Sequence, residues 1–417
     1  MELGHFDYSI ESVYVTSSTG EVNNIKDLVT GISVYESLNS PYIKIEMDVV
    51  DAANFLELSP IIGQEKVEIS MIQNTVKIKK VFYIAGISNY IRANNQSSLY
   101  TIKLITPEQM MNSLVLVSQA YSGNISFSIK NIITTYLKSK IDLIEETNGN
   151  YSVIIPNWNP FQAIDWLVRR AMDTKQTPFV FFETFIDGFQ FKSYTSLLKQ
   201  KVYNRFVHKG GNTGESDAEA TAASYNVAIE YDLRDYSNTY KNNLRGAFGS
   251  GIHLVDIATK KYNLLKYDYL QDFKKKEHLD KQPFINDKFK IDGKSINEFD
   301  AVHQTVNKNT MSFGIINNYN NEAEFTVMES NAYANQMTLI HMNLLVRGRL
   351  DLTPGKIIEF EVDRDKPSIY GNTKDINEYI SGRYLVVNVH HKFSMGKYHV
   401  LMDCARDSFG KKIKKRG

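Results

Sequence analysis

A strand pattern near the C-terminus recurs, more loosely, near the N-terminus, and no other feature narrows the possible folds as far. The late copy opens at Leu352-Thr353-Pro354-Gly355 and runs through Ile357, Ile358 and Phe360. It resumes over 384–391, turns at Ser394-Met395-Gly396-Lys397 and returns over 398–404. The early copy opens at Pro60-Ile61-Ile62-Gly63 and runs through Val67 and Ile69. It resumes over 81–87, turns at Asn94-Asn95-Gln96 and returns over 99–105. Glycine to returning tyrosine spans 37 residues in the first (Gly63 to Tyr100) and 43 in the second (Gly355 to Tyr398). The pattern reads as one small antiparallel β-barrel used twice in one chain. Gly63 and Gly355 are expected in tight turns that enter a strand, where a positive φ would favour glycine.

A chain of 417 residues is too long for one typical domain of about 150 residues, and two to four are expected. The fold class that follows is mainly β with α+β insertions: two similar tube-like barrels, an α+β middle domain and an inserted subdomain. Residues 1–110 are assigned to the first barrel. Ile43, Ile45 and Met47 there alternate with Lys44, Glu46 and Asp48, and Val13 and Val15 with Tyr14 and Thr16, as in a strand buried on one face.

Residues 111–215 form the middle domain. Ile129, Ile132, Ile133, Tyr136 and Leu137 share one helical face, with Ser126 or Ser128 as the expected cap. Asn159-Pro160 starts a second helix with Phe161, Ile164, Leu167, Val168 and Ala171 as its buried stripe. An apolar strand at 179–182 and an Asp187-Gly188 hairpin follow. The segment 210–217, without a large apolar residue, reads as a linker. The second barrel takes 216–245 and 331–407. Its first strand shows Tyr225, Val227, Ile229 and Tyr231 alternating with polar or small residues, and Met337, Ile340, His341 and Leu344 suggest a short helix. Residues 246–330 are the inserted subdomain, and 408–417 a basic tail.

The last hairpin is specific enough for a register. A turn around Met395-Gly396 sets Phe393 opposite Tyr398, His391 opposite Val400, Val389 opposite Met402 and Val387 opposite Cys404, all on one mostly apolar face. The other face carries Lys392, His399, His390, Leu401, Asn388 and Asp403.

Catalytic chemistry is not apparent, and no catalytic, cofactor-binding or metal residue is assigned. His390, His399 and Asp403 lie near one another but read as surface polar residues; a metal would need a fixed third ligand and a second shell. Gly293-Lys294-Ser295 ends like a phosphate loop, yet Lys288 stands where the first glycine is required. Gly246-Ala247-Phe248-Gly249-Ser250-Gly251 reads as a turn or hinge. Trp158 and Trp166 read as core packing. No GxSxG or HExxH occurs. A net charge of +1 gives no global sign of nucleic-acid or membrane binding. The one charge run, Lys411-Lys412-Ile413-Lys414-Lys415-Arg416, reads as a solvated tail. The single cysteine, Cys404, forbids an intrachain disulfide and suits a reducing compartment. No secretory signal or transmembrane helix is expected.

Three segments together resemble a known family. They are 350–358 (Leu350-Asp351-Leu352-Thr353-Pro354-Gly355-Lys356-Ile357-Ile358), 384–391 with 398–407, and Ile154-Ile155-Pro156-Asn157-Trp158-Asn159-Pro160-Phe161 with the following helix and aromatic strand. In order and spacing they are similar to the baseplate central hub proteins of contractile-tailed bacteriophages, related to the hub portion of type VI secretion spikes. The resemblance covers most of the chain and is weakest over 246–330. It implies a structural virion protein of the tail baseplate, assembled in the host cytoplasm. Two barrels per chain would form a homotrimeric, pseudo-sixfold ring, an adaptor joining the sixfold tail tube to a threefold central spike around a channel for DNA ejection. The partners implied are the chain itself, a spike protein that can bear a lysozyme, the tube protein or a tube-initiator, baseplate wedge proteins and DNA in passage, with no membrane insertion and no cofactor. The alternatives are the hub of a contractile secretion or bacteriocin machine, or a tail-associated peptidoglycan hydrolase.

Overall fold

The computed structural model describes residues 8–73, 76–94, 96–208, 226–236, 238–257, 259–307, 324–363, 376–394 and 396–411. The expected linker at 210–217, Tyr225, Met395 and the tail from 412 onwards lie outside these residues.

The N-terminal strands are β1 (Tyr8–Thr16), β2 (Val22–Asn24), β3 (Val29–Ser37), β4 (Lys44–Asp51), β5 (Lys66–Gln73), β6 (Val76–Arg92) and β7 (Ser98–Ile105), with a one-turn helix α1 (Phe55–Leu58). They pair antiparallel in the order β3-β4-β7-β6-β5-β1. The alternation read from the sequence puts Val13, Val15, Ile45, Met47, Val67, Ile69 and Ile102 inside.

Helix α2 (Pro107–Leu114) then leads to β8 (Val117–Gly123), α3 (Ile125–Thr135), β9 (Ile141–Ile144), β10 (Tyr151–Trp158), α4 (Pro160–Val168), β11 (Phe179–Thr184), β12 (Gly188–Ser193) and α5 (Tyr194–Leu198). Their common core joins Ile129, Ile132 and Ile133 of α3 to Phe161, Ile164 and Leu167 of α4 and to Phe179, Phe181, Phe189 and Phe191 of the β11–β12 hairpin. The cap of α3 differs from expectation. Asn124, not Ser126 or Ser128, accepts from the Phe127 N–H at 2.9 Å, because the helix starts a residue or more before both serines. Asn159 is the N-cap residue of α4, but Asn112 does the bonding: its Oδ1 accepts from Phe161 N–H at 2.8 Å while its carbonyl accepts from Asn159 Nδ2.

The chain returns to the large sheet with β13 (Val202–His208) and β14 (Ala228–Tyr236), followed by α6 (Thr239–Leu244). A smaller three-stranded sheet, order β16-β15-β19, comes from β15 (Gly249–Asp256), β16 (Lys261–Asp268) and β19 (Val302–Asn307). Helix α7 (Tyr269–Phe273) and the small hairpin of β17 (Lys290–Ile291) and β18 (Lys294–Ser295) lie between them in sequence. Its core is Ala247, Phe248, Ile252, Leu254, Tyr267 and Tyr269. The glycines expected as a hinge are instead largely strand: a Cβ at Gly249 would lie 2.2 Å from the Phe299 carbonyl, so glycine here permits close backbone approach.

After α8 (Ser330–Gln336) come β20 (Ile340–Arg347), β21 (Ile357–Val362), β22 (Gly382–Ser394) and β23 (Lys397–Arg406). The helix expected at Met337, Ile340, His341 and Leu344 is therefore wrong. Ile340, Met342, Leu344 and Val346 are buried with a period of two, and β20 is hydrogen-bonded on both sides, to β14 and β23. Helical spacing at three apolar positions and one histidine is a coincidence that two flanking strands override.

The duplication is visible in the ladder itself. The C-terminal strands run β14-β20-β23-β22-β21-β13, position for position the counterpart of β3-β4-β7-β6-β5-β1. Only the last pair differs, since β13 runs parallel to β21 whereas β1 is antiparallel to β5. Bulges fall at matching places. Thr30 is the extra residue between the Val29↔Val49 and Gly31↔Asp48 pairs, and Ile229 between Ala228↔Val346 and Glu230↔Leu345. Ala85 is extra between Ile84↔Leu104 and Gly86↔Lys103, and Val387 between Val386↔Cys404 and Asn388↔Asp403. Bulges sharpen strand twist and redirect side chains, so their repetition argues for one design used twice.

The two units are not free-standing barrels. Pairing of β22 with β3 fuses them into one 13-stranded sheet, and among the described residues neither unit is closed by a full ladder. One apolar cluster runs through both, from Val13, Met47 and Ile102 to Met342, Phe360 and Val400. A second cluster ties all parts together: Leu38 from the first unit, Val180, Phe182 and Leu197 from the middle segment, Leu279 from the insertion, and Tyr333, Ile357 and Leu385 from the second unit.

A candidate assembly surface

The joint between the units is where the fold does something a single unit cannot. Strand β22 bonds β23 on one edge and, over residues 388–394, β3 on the other, from Asn388↔Ser37 to Ser394↔Gly31. The hairpin register expected from sequence holds at Phe393↔Tyr398, His391↔Val400 and Val389↔Met402. It fails at Val387, whose bulge leaves Val386 opposite Cys404. The displaced Val387 carbonyl accepts instead from the Leu38 N–H at 2.9 Å, so the bulge helps bind the two units.

The inner face of the joint holds a buried polar relay that sequence reading missed. Tyr398 OH lies 2.8 Å from His391 Nδ1, and His391 Nε2 lies 3.3 Å from Glu36 Oε1, with Glu36 and His391 almost wholly buried. Burial, then the Glu36 carboxylate, pushes the Tyr398 phenol well above its usual range. The phenol thus keeps its proton, and the buried His391 ring stands between it and the Glu36 carboxylate. Glu36 on the inward side of an apolar strand was the available signal. A carboxylate is rarely buried unless another group answers it.

The outer face bears the polar residues read from the hairpin. His390 stacks on Tyr35 with ring centroids 4.2 Å apart, and Asn388 Nδ2 donates to Asp403 at 2.9 Å. With Ser37, Tyr42, Lys44 and Arg234 these line a groove of about 480 Å³ across the joint. His390 and His399 do not form a metal centre with Asp403, and among the described residues no group of three such side chains does. Burial and nearby Lys392 lower the pKa of both histidines, as do His391 for His390 and Lys397 and Arg347 for His399. The same cations would repel a metal.

The remaining sequence candidates have structural roles. Gly293 turns the β17–β18 hairpin with φ +76, and Ser295 makes a capping box with Glu298. Trp158 and Trp166 meet at 5.8 Å, with the Arg170 guanidinium 3.8 Å from the Trp166 ring centre. Lys411 of the tail pairs with Glu378. Gly63 and Gly355 have φ +88 and +84.

A second buried network, also unforeseen, clamps the insertion to the end of β23. Arg406 donates to Asp280 at 2.8 Å and to the Tyr379 and Ser381 carbonyls; Asp407 meets His278 Nδ1 at 2.7 Å and accepts from Leu279 N–H. Arg406, Asp407 and Ser408 are fully buried. No described helix is long and apolar enough to cross a membrane.

No family model matches the chain, and no curated protein does. Solved structures do. The tail protein from Neisseria meningitidis MC58 aligns over 96% of this chain and 97% of its own length at 10% identity, with a TM-score of 0.55. The 43 kDa tail protein of prophage MuSo2 from Shewanella oneidensis aligns over 95% and 98% at 9% identity, with a TM-score of 0.56. The fold is therefore that of these two tail proteins, end to end.

Proposed function

We propose that the chain is the structural hub at the centre of a phage tail baseplate. In this reading, three copies form a ring of six similar β units. One face offers pseudo-sixfold symmetry to a tail tube or tube-initiator, the other true threefold symmetry to a central spike, and the lumen passes DNA. Wedge proteins would bind the periphery, and the particle would be built in the host cytoplasm. The domain division read from the sequence, with the middle domain and insertion forming a skirt around two tube-like units, belongs to this proposal. So does a non-enzymatic role.

One observation carries the reading: the same strand order with bulges at matching positions occurs twice in one chain, and the two copies are already joined edge to edge. A duplicated unit is what a threefold object needs to face a sixfold one. Likeness to two tail proteins, one of them from a prophage, over nearly their whole length supports the same conclusion. The test is the solution mass by light scattering, alone and with a spike protein encoded beside it. Three times 47.7 kDa, or a three-to-three complex, is expected. A chain that stays monomeric and ignores the spike would sink the proposal and direct attention to lytic activity.

A further inference from the structure

The joint within the chain exists a second time in open form. Strand β6 is the counterpart of β22, and β14 the counterpart of β3. Residues 388–394 of β22 bond β3, whereas the matching part of β6, residues 86–92, bonds β7 and meets no further strand among the described residues. Strand β14 ends the sheet, with β20 on one side of residues 230–236 and no described strand ladder on the other. Tyr90 and Arg92 on the first edge and Tyr236 on the second are exposed, although His391, Phe393 and Glu36 at the corresponding places in the closed joint are buried. Ser88 Oγ is buried without a hydrogen-bond partner among the described residues. Unpaired strand edges beside exposed apolar side chains are templates for another strand.

We propose that β6 of one copy pairs antiparallel with β14 of a second copy, repeating the β22–β3 joint between chains. This rests on the ring reading above and names its interface. Transferring the closed joint's register sets Ser88 opposite Asp235, from His390↔Tyr35, and Ile91 opposite Asp232, from Lys392↔Ser33. Between those two pairs β6 has one residue more than β22, because Asn89 and Tyr90 together face Tyr100. Strand β14 has one residue more than β3 in the same interval, because Arg234 is bulged between Leu233 and Asp235. The two additions offset each other. The pairs Ser88–Asp235, Asn89–Arg234, Tyr90–Leu233, Ile91–Asp232 and Arg92–Tyr231 therefore follow in unbroken register. An insertion in one edge alone would throw the joint out of step, reversing every later side chain; matched insertions keep it in step. Each chain then offers a donor edge and a different acceptor edge, the heterologous arrangement that closes into a ring.

The test is site-directed crosslinking of the full chain. Ile91→Cys with Asp232→Cys places cysteines at an opposed pair. Ile91→Cys with Glu230→Cys places them two residues off register, where diagonal neighbours about 7–8 Å apart exceed the usual disulfide reach of about 4.4–6.8 Å. All three positions are exposed, and Cys404 is fully buried and does not compete. Oxidation should yield covalent species up to three chains for the first variant, with loss of those bands for the second. A trimeric mass without crosslinking in the first variant, or with crosslinking only in the second, would overturn the strand pairing and leave the ring reading standing. A ladder that runs past three chains would keep the pairing and overturn ring closure. Monomers throughout, in the unmodified chain and both variants, would overturn both.

Discussion

Gly355 offers the sharpest test of how the units are fastened together. It sits at the entry to β21 with φ +84, its N–H donating to the Val386 carbonyl at 2.8 Å and its own carbonyl accepting from Gln200 Nε2 at 2.9 Å. A Cβ there would lie 3.2 Å from Leu197 Cδ2, 3.3 Å from Phe182 Cζ and 3.5 Å from Leu38 Cδ2, in the cluster where the units and the middle segment meet. Gly355→Ala thus meets two costs. The left-handed backbone costs about 1–2 kcal/mol for a residue with a Cβ, and crowding a packed core adds about 1–3 kcal/mol. Gly63→Ala is the control. Its φ is +88, but the nearest atom to an added Cβ is 3.9 Å away, so only the backbone cost applies. Urea unfolding followed by far-ultraviolet circular dichroism should show Gly355→Ala as clearly the less stable of the two. Gly355→Val adds a β-branch at positive φ, a conformation such residues avoid, and should fail to give soluble protein. If Gly355→Ala proves no worse than Gly63→Ala, the central cluster is not packed as described. If Gly355→Val folds normally, the turn itself is wrong.

Other consequences follow from single buried groups. Burial, reinforced by the Glu108 carboxylate, raises the Glu183 pKa from 4.5 to about 8. The folded state then binds a proton more tightly than the unfolded one. Its stabilising effect is full below about 4.5, falls by about 1.4 kcal/mol per pH unit above it and is spent by about 8. Glu183→Gln keeps an acceptor for the Ile43 N–H and should flatten that decline in pH-dependent unfolding; an unchanged slope would contradict the assignment. Arg406→Met leaves Asp280 and two carbonyls unanswered and should cost about 3–5 kcal/mol, as for a broken buried pair, with the insertion becoming protease-sensitive first. Wild-type proteolysis kinetics would contradict the clamp. Deleting 211–217, a polar glycine-rich stretch, should leave the mass of the assembly unchanged; its loss would make that stretch a contact arm.

How much of this was legible in the sequence depended on whether a residue's partner was local. The α3 stripe of Ile129, Ile132 and Ile133 and three of the four pairs in the last hairpin followed from periodicity, because near neighbours set them. The repeat of the two units was legible from Gly63, Gly355 and the strands after them, and the ladder shows it reaches individual bulges. The place of Val387 is not legible because a bulge is decided by a distant group, here the Leu38 N–H. Strand β20 reads as helix in the sequence because its true period emerges only when β14 and β23 flank it. Glu36, His391 and Arg406 looked like ordinary polar residues, since their partners lie far away in sequence. Their burial is a property of the joints between units, and the sequence pattern of a single unit carries no mark of those joints.

Three chains that set six similar units in a ring would show that arrangement in an axial view. Electron-microscopic class averages of the purified assembly, viewed down its axis, test it most directly. The expected image is an inner ring of six similar lobes around an open channel, with a periphery of threefold symmetry. A closed disc without a channel, or a ring whose lobe number is not six, would contradict it.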